Sequence, residues 1–282
     1  MLKALRFCRT FFIYSNLFMA SCAVLMTAQS GLLFTPTGYN PSLLFFVFSA
    51  TLCSYSFHWY FTGTSAIITP RVSWLQQYRW AHVLFFFAGL AGTLLYLQYF
   101  IQYWPWIAGS MIATFLYTAP KIPIPLLQKL RRLALGKTIF LAAVWTYVST
   151  VLPFVMEEAP WTRSMTLFTI SRYFFVYMIC ILFDYRDRTD DKNAGIRSLI
   201  TYMEPAGIRR LFLFSFGIFF ITTGWLFIDG LSLPDSVFIL TPGLIVVALY
   251  RRATRDFNDM LYYFVLDGLM AFSALLSLFA RI

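Results

Sequence analysis

The sequence predicts an all-α, polytopic membrane bundle of about nine transmembrane helices in a four-plus-four-plus-one arrangement. Three observations carry that prediction. The chain is 60% hydrophobic and 20% aromatic, and only 12% of it is charged, whereas soluble domains carry about 25% charged residues. Apolar runs of about 20 residues, the length that crosses a bilayer, recur along the chain. Lys and Arg gather in alternate loops, the pattern that the positive-inside rule leaves. The net charge of +10 is thereby a matter of topology, and no nucleic-acid partner is indicated.

Taken in order, the apolar runs fall near 11–34, 42–60, 81–99, 102–118, 138–156, 164–183, 210–228, 236–250 and 261–280. The division within 81–118 rests on Gln98, Gln102 and Pro105 alone. The first run follows Lys3, Arg6 and Arg9. It is too long for the apolar core of a signal peptide and lacks a small-residue cleavage site, so it reads as a membrane helix. Bases cluster at Arg71 and Arg79, from Lys121 to Lys137, from Arg186 to Arg210, and at Arg251, Arg252 and Arg255. The intervening segments, 31–41, the turn at Pro105, 157–163 and 229–235, are nearly free of base. An odd number of spans with a basic start puts the N-terminus in the cytoplasm, in what is expected to be a bacterial inner (cell) membrane. Cys22, Cys53 and Cys180 lie inside apolar runs and Cys8 on the basic side, so no disulfide framework is indicated. A weak internal repeat relates helices 1–4 to 5–8, with Leu116-Tyr117 and Leu249-Tyr250 opening matching loops.

One stretch departs from this apolar background. From Phe183 to Ser198 the chain places Asp184, Asp187, Asp190 and Asp191 within eight residues. On a helix continuing from the preceding run, Asp184, Asp187 and Asp191 stack along one face. A hard divalent cation would offset their repulsion, since Mg²⁺ takes oxygen ligands, often one or two carboxylates plus substrate phosphates. Equally, the stretch reads as a solvated loop neutralised by Arg186, Arg188 and Lys192, for instance through Asp184 and Arg188.

The run from Asp184 to Ser198 resembles the second aspartate-rich motif of the UbiA superfamily of intramembrane prenyltransferases. Asp184, Asp187, Asp191, Gly195, Arg197 and Ser198 follow that motif in order. Tyr117-Thr118-Ala119-Pro120-Lys121 resembles the family's Tyr-x-x-x-Lys motif, in the loop after the fourth helix. The helix layout and half repeat are similar as well, so a single membrane domain over 1–282 is expected. The resemblance implies that an isoprenyl diphosphate binds and its prenyl group passes to a lipophilic acceptor. It also implies Mg²⁺ on Asp187 and Asp191, with Asp184 as a further ligand or substrate contact. Lys121 would hold phosphate and Tyr117 line the same pocket as catalytic-site residues, and Arg197 would add a phosphate contact through its fork.

The sequence also departs from the family. Its first motif, an Asn followed by spaced Asp residues, belongs after helix 2, where this chain has Ser54-Tyr55-Ser56-Phe57-His58-Trp59. No acid occurs before Glu157. His58 is a poor match for Mg²⁺, because imidazole suits transition metals. A degenerate member that binds lipid phosphate or partners without turnover is the alternative, and a transporter is another. The transporter reading draws on Arg172 and Asp267, intramembrane charges at similar depth that are expected to pair or to share a central cavity. Trp145, Tyr147, Tyr173, Phe174 and Phe175 have the character to face a carbocation, but so aromatic a chain singles out none of them. The Lys129–Lys137 cluster reads as topology or as contact with anionic lipid.

Overall fold

The computed structural model describes residues 2–62, 69–122, 124–128, 137–193 and 198–281. Every regular element among them is helical. In chain order they are α1 (Leu2–Tyr14), α2 (Leu17–Phe34), α3 (Pro41–Tyr60), α4 (Pro70–Gln77), α5 (Arg79–Leu97), α6 (Trp104–Thr118) and α7 (Pro125–Gln128). Then come α8 (Lys137–Thr146), a π turn (Tyr147–Val151), α9 (Leu152–Met156), α10 (Arg163–Asn193) and α11 (Leu199–Tyr202). The chain ends with α12 (Pro205–Ile228), α13 (Leu233–Ala253), a second π turn (Leu261–Leu266) and α14 (Asp267–Phe279).

Among the described residues, eight helical segments are long and apolar enough to cross a membrane: 17–34, 41–60, 79–97, 137–156, 163–193, 205–228, 233–253 and 261–279. The chain is an integral membrane protein. The expected span at 102–118 corresponds to α6, whose 15 residues cover only about 22 Å at the α-helical rise. The first expected span, 11–34, is broken. Asn16 adopts a left-handed conformation at φ 70°, which separates α1 from α2.

Local sequence explains the helix starts. Asn40 accepts hydrogen bonds from the Ser42 and Leu43 amides just before Pro41 opens α3. Thr69 caps α4 ahead of Pro70, and Ser232 caps α13 through the Asp235 amide. These side chains satisfy amide donors that the first turn leaves without partners. Ser198, which the acidic motif carries, forms a reciprocal capping box with Thr201 at the start of α11. Helix contact in lipid depends on close approach of backbones, and α3 and α5 meet in that way. A Cβ on Gly89 would lie 2.6 Å from the Cys53 amide nitrogen. The four cysteines are free.

α10 is the central element. Thirty-one residues long, it packs against α8 and α12 and continues past its apolar core into the acidic stretch. Its middle, from Phe175 to Leu182, is buried throughout. The acids therefore extend a rigid membrane helix and share its register, which decides the first question that the sequence left open.

Candidate functional site

A cavity of about 730 Å³ opens between α3, α4, α6, α8, α10 and the last helix. Its body is largely apolar, with Met19, Val144, Trp145, Val176, Ile179 and Met270 among its walls. Its rim is charged. The structure brings Tyr117, Lys121, Asp184, Asp187 and Asp191 together on this cavity, although 60 or more residues separate the two stretches in sequence. Arg197 and Gly195 lie outside the described residues.

The acids on α10 have specific partners. Lys137, the first residue of α8, bridges two of them, with Nζ 3.0 Å from Asp191 Oδ2 and 3.5 Å from Asp184 Oδ1. Thr138 donates a hydrogen bond to Asp184 Oδ2. Arg186 Nε donates to Asp187 Oδ1 at 2.7 Å, and its Nη2 donates to the Tyr263 hydroxyl at 2.8 Å. The pairing of Asp184 with Arg188 is not formed; Arg188 donates instead to the Met203 carbonyl at 2.7 Å. A helix places Asp184 and Arg188 within reach, but Lys137 approaches Asp184 from the cavity side. Lys137 thus belongs to the cavity rim, and not to a lipid-facing basic cluster. Lys129, Arg131 and Arg132 of that cluster lie outside the described residues. Among the described residues, no three His, Cys, Asp or Glu side chains converge as a metal-binding group.

The wall opposite α10 is cationic. Lys121 Nζ donates to His58 Nε2 and to Thr62 Oγ1, each at 2.9 Å. An ammonium has no acceptor, so His58 Nε2 accepts, and Nδ1 carries the proton toward Thr118 Oγ1 at 3.1 Å. The imidazole stacks on Tyr117, with centroids 5.1 Å apart. His58 therefore orients Lys121 on the cavity wall. Burial pushes the Lys121 ammonium down to about 7, and the Lys137 charge adds to the shift.

The two intramembrane charges do not meet. Arg172 donates to the carbonyls of Met26 and Ser149, to Ser30 and Thr150 hydroxyls, and to Gln29 Oε1. These acceptors belong to α2 and the first π turn, and Arg172 is not on the cavity wall. The expected pair fails because α10 turns this side chain toward α2, where the π turn presents Ser149 O and Thr150 Oγ1. Asp267 does line the cavity. It is 7% exposed and makes no hydrogen bond or ion pair among the described residues.

Sequence reasoning missed Lys137 and Arg71 as cavity residues. Arg71 is held by the break between α1 and α2: its Nη2 donates to Asn16 Oδ1 at 3.1 Å, and its backbone amide donates to Asp259 Oδ2 at 2.8 Å. No local pattern announces either residue; an Asn interrupting an apolar run near Lys and Arg was the available signal.

No family model matches the chain, and no curated protein matches it in sequence. Among solved structures it is similar to a UbiA homologue from Archaeoglobus fulgidus whose structure was solved bound to Cd²⁺. The match covers 95% of this chain and 98% of that one, with a TM-score of 0.58 and 14% sequence identity. With eight helices apolar and long enough to span a membrane among the described residues and that structural likeness, this chain is an integral membrane protein with a UbiA-like fold.

Proposed function

We propose that the chain is a membrane prenyltransferase-like protein, one domain over 1–282, that binds an isoprenyl diphosphate and transfers the prenyl group to a lipophilic acceptor. The observation that carries this reading is the amphipathic cavity, apolar in its body and charged at its rim. An apolar tail and a polyanionic head ask for that division. The basic loops argue for a rim on the cytoplasmic side of a bacterial inner membrane, with the N-terminus on the same side.

The donor chemistry of α10 fits one Mg²⁺. Such a site needs only one or two carboxylates, with substrate phosphate and water completing the shell. Asp187 keeps 39% of its side chain exposed at the rim, and Asp191 lines the same cavity one turn on. Asp187 and Asp191 would hold the ion, with Asp184 beside them. Lys121 and His58 across the cavity disfavour a second cation. When bound, Mg²⁺ takes negative charge from the departing diphosphate. The chain's own groups do the rest. Lys121 holds phosphate oxygens, Tyr117 closes the rim beside it, and Lys137 is positioned to pass from Asp191 to a phosphate; Arg197 is assigned to phosphate by its place in the motif alone. The apolar walls keep water from the allylic carbon once its bond to oxygen breaks.

A binding protein without turnover is the second reading. Lys137 already balances Asp184 and Asp191, which supports it. Incubating the purified protein with radiolabelled geranylgeranyl or farnesyl diphosphate, Mg²⁺ and a bacterial lipid extract separates the two. Prenyl transfer yields a labelled lipid that Asp187→Asn/Asp191→Asn no longer forms. Bound label that is never converted favours the second reading, and absence of binding contradicts both.

A further inference from the structure

Three cations on the cavity wall are arranged around two aromatic rings. Lys121 Nζ lies 5.7 Å from the Trp59 ring centroid, and the Arg71 guanidinium lies 3.8 Å from the same centroid. Arg71 is also 4.0 Å from the Tyr263 ring, and Arg186 is 4.8 Å from it. The two rings meet edge to face at 6.0 Å, so the row runs Lys121, Trp59, Arg71, Tyr263, Arg186. All five residues line the one cavity.

This row has more donors than acceptors. Among the described residues Lys121 donates only to neutral groups, and the Arg71 side chain only to Asn16. Among the described residues neither has a carboxylate within ion-pair distance, and Arg71 is only 3% exposed. Arg186 Nη1 is buried without an acceptor, although Nε reaches Asp187. Burying a cation without a counter-charge is costly, and aromatic faces return only about 0.5–2 kcal/mol each. Successive like charges add repulsion. A polyanion in the cavity would relieve both costs, and its oxygens would meet the unused N–H donors in the fork geometry that guanidinium presents to phosphate.

We infer that Lys121, Arg71 and Arg186 form a metal-independent clamp for a diphosphate group on one wall of the cavity. The prenyl identity of the diphosphate's tail rests on the function proposed above; the clamp itself does not. Capture of the diphosphate is then the work of the cations, and a Mg²⁺ held by Asp187 and Asp191 would supply charge neutralisation as the diphosphate departs.

The test is equilibrium binding to the purified full chain in detergent, in Mg²⁺ and in excess EDTA. Two probes are used, radiolabelled geranylgeranyl diphosphate and inorganic pyrophosphate. The clamp predicts that EDTA weakens binding by less than about tenfold, whereas Arg71→Gln and Arg186→Gln each weaken it about tenfold or more in EDTA. Arg71→Lys keeps the charge and guards against misfolding; it should bind more tightly than Arg71→Gln at equal melting temperature. Binding abolished by EDTA, or arginine variants that bind like the parent, would overturn the clamp. Pyrophosphate binding without geranylgeranyl diphosphate binding supports the clamp and sinks the prenyl reading. Binding of neither probe overturns both.

Discussion

Lys121 Nζ sits 2.9 Å from His58 Nε2, and this contact between two nitrogens fixes a cation on one wall of the cavity. Around Lys121 stand Arg71 and Lys137, which disfavour its charge, and Asp187 and Asp191, which favour it. Burial outweighs the acids and pushes this ammonium down to about 7.

The first prediction concerns pH. Between about 7 and the unfolded lysine value of about 10.4, the unfolded chain binds more protons at this residue, so stability contributed by Lys121 rises with pH across that window. Below about 7 the cost of the buried charge is fully present. Anion binding runs the other way, because it needs the charged form. Pyrophosphate affinity of the parent, relative to Lys121→Arg, should fall from about pH 6 to about pH 8.5. A ratio that stays flat across that range would remove Lys121 from the binding site.

Lys137 supplies the second prediction. Removing it as Lys137→Met leaves Asp184 and Asp191 buried without their counter-charge, which should cost about 3 kcal/mol or more. Adding Asp184→Asn/Asp191→Asn should restore most of the melting temperature. If a divalent ion can take the place of the ammonium, Mg²⁺ should stabilise Lys137→Met more than the parent. Equal melting of parent and Lys137→Met would show that the bridge contributes nothing.

Arg172 leads to a third. Its fork ties α10 to α2 and to the first π turn, so Arg172→Met removes the charged donor that Met26 O, Ser149 O and Gln29 Oε1 share. The expected loss is about 3 kcal/mol, since charged hydrogen bonds are involved. Exchanging Arg172 and Asp267 should rescue neither single variant, because the two residues serve different sites. Rescue by the exchange would reinstate the pair.

Asp267 gives the fourth. Among the described residues this buried carboxylate has no hydrogen bond or ion pair, and burying it so is a cost to the fold. Asp267→Asn should therefore raise the melting temperature while lowering prenyl transfer more than diphosphate binding, the pattern of a group kept for function. A variant that melts lower and transfers normally would make Asp267 structural.

The course of α10 was legible in the sequence, because the spacing of Asp184, Asp187 and Asp191 matches a helical face and the apolar run before them has no break. Membrane insertion was legible from hydropathy, and the union of Tyr117 and Lys121 with the acids from motif resemblance. The break at Asn16 was not, because one left-handed residue leaves no mark in a hydropathy pattern. Arg186 does pair with an acid, Asp187, as the sequence suggested, but the partner of Asp184 was misassigned for a tertiary reason: Lys137, from another helix, reaches it where Arg188 on the same helix does not. Arg172 and Asp267 share a depth, but depth does not reveal which face of a helix a charge occupies.

The central claim is that this cavity holds an isoprenyl diphosphate with its head at the rim and its tail in the apolar body. The direct measurement is a structure of the protein with a thio-substituted geranylgeranyl diphosphate, which resists ionisation. The account predicts the diphosphate between the α10 acids and the wall of Lys121 and Arg71, with the chain running past Trp145 toward Met270. A cavity filled by bilayer lipid, or a diphosphate seated elsewhere on the protein, would contradict it.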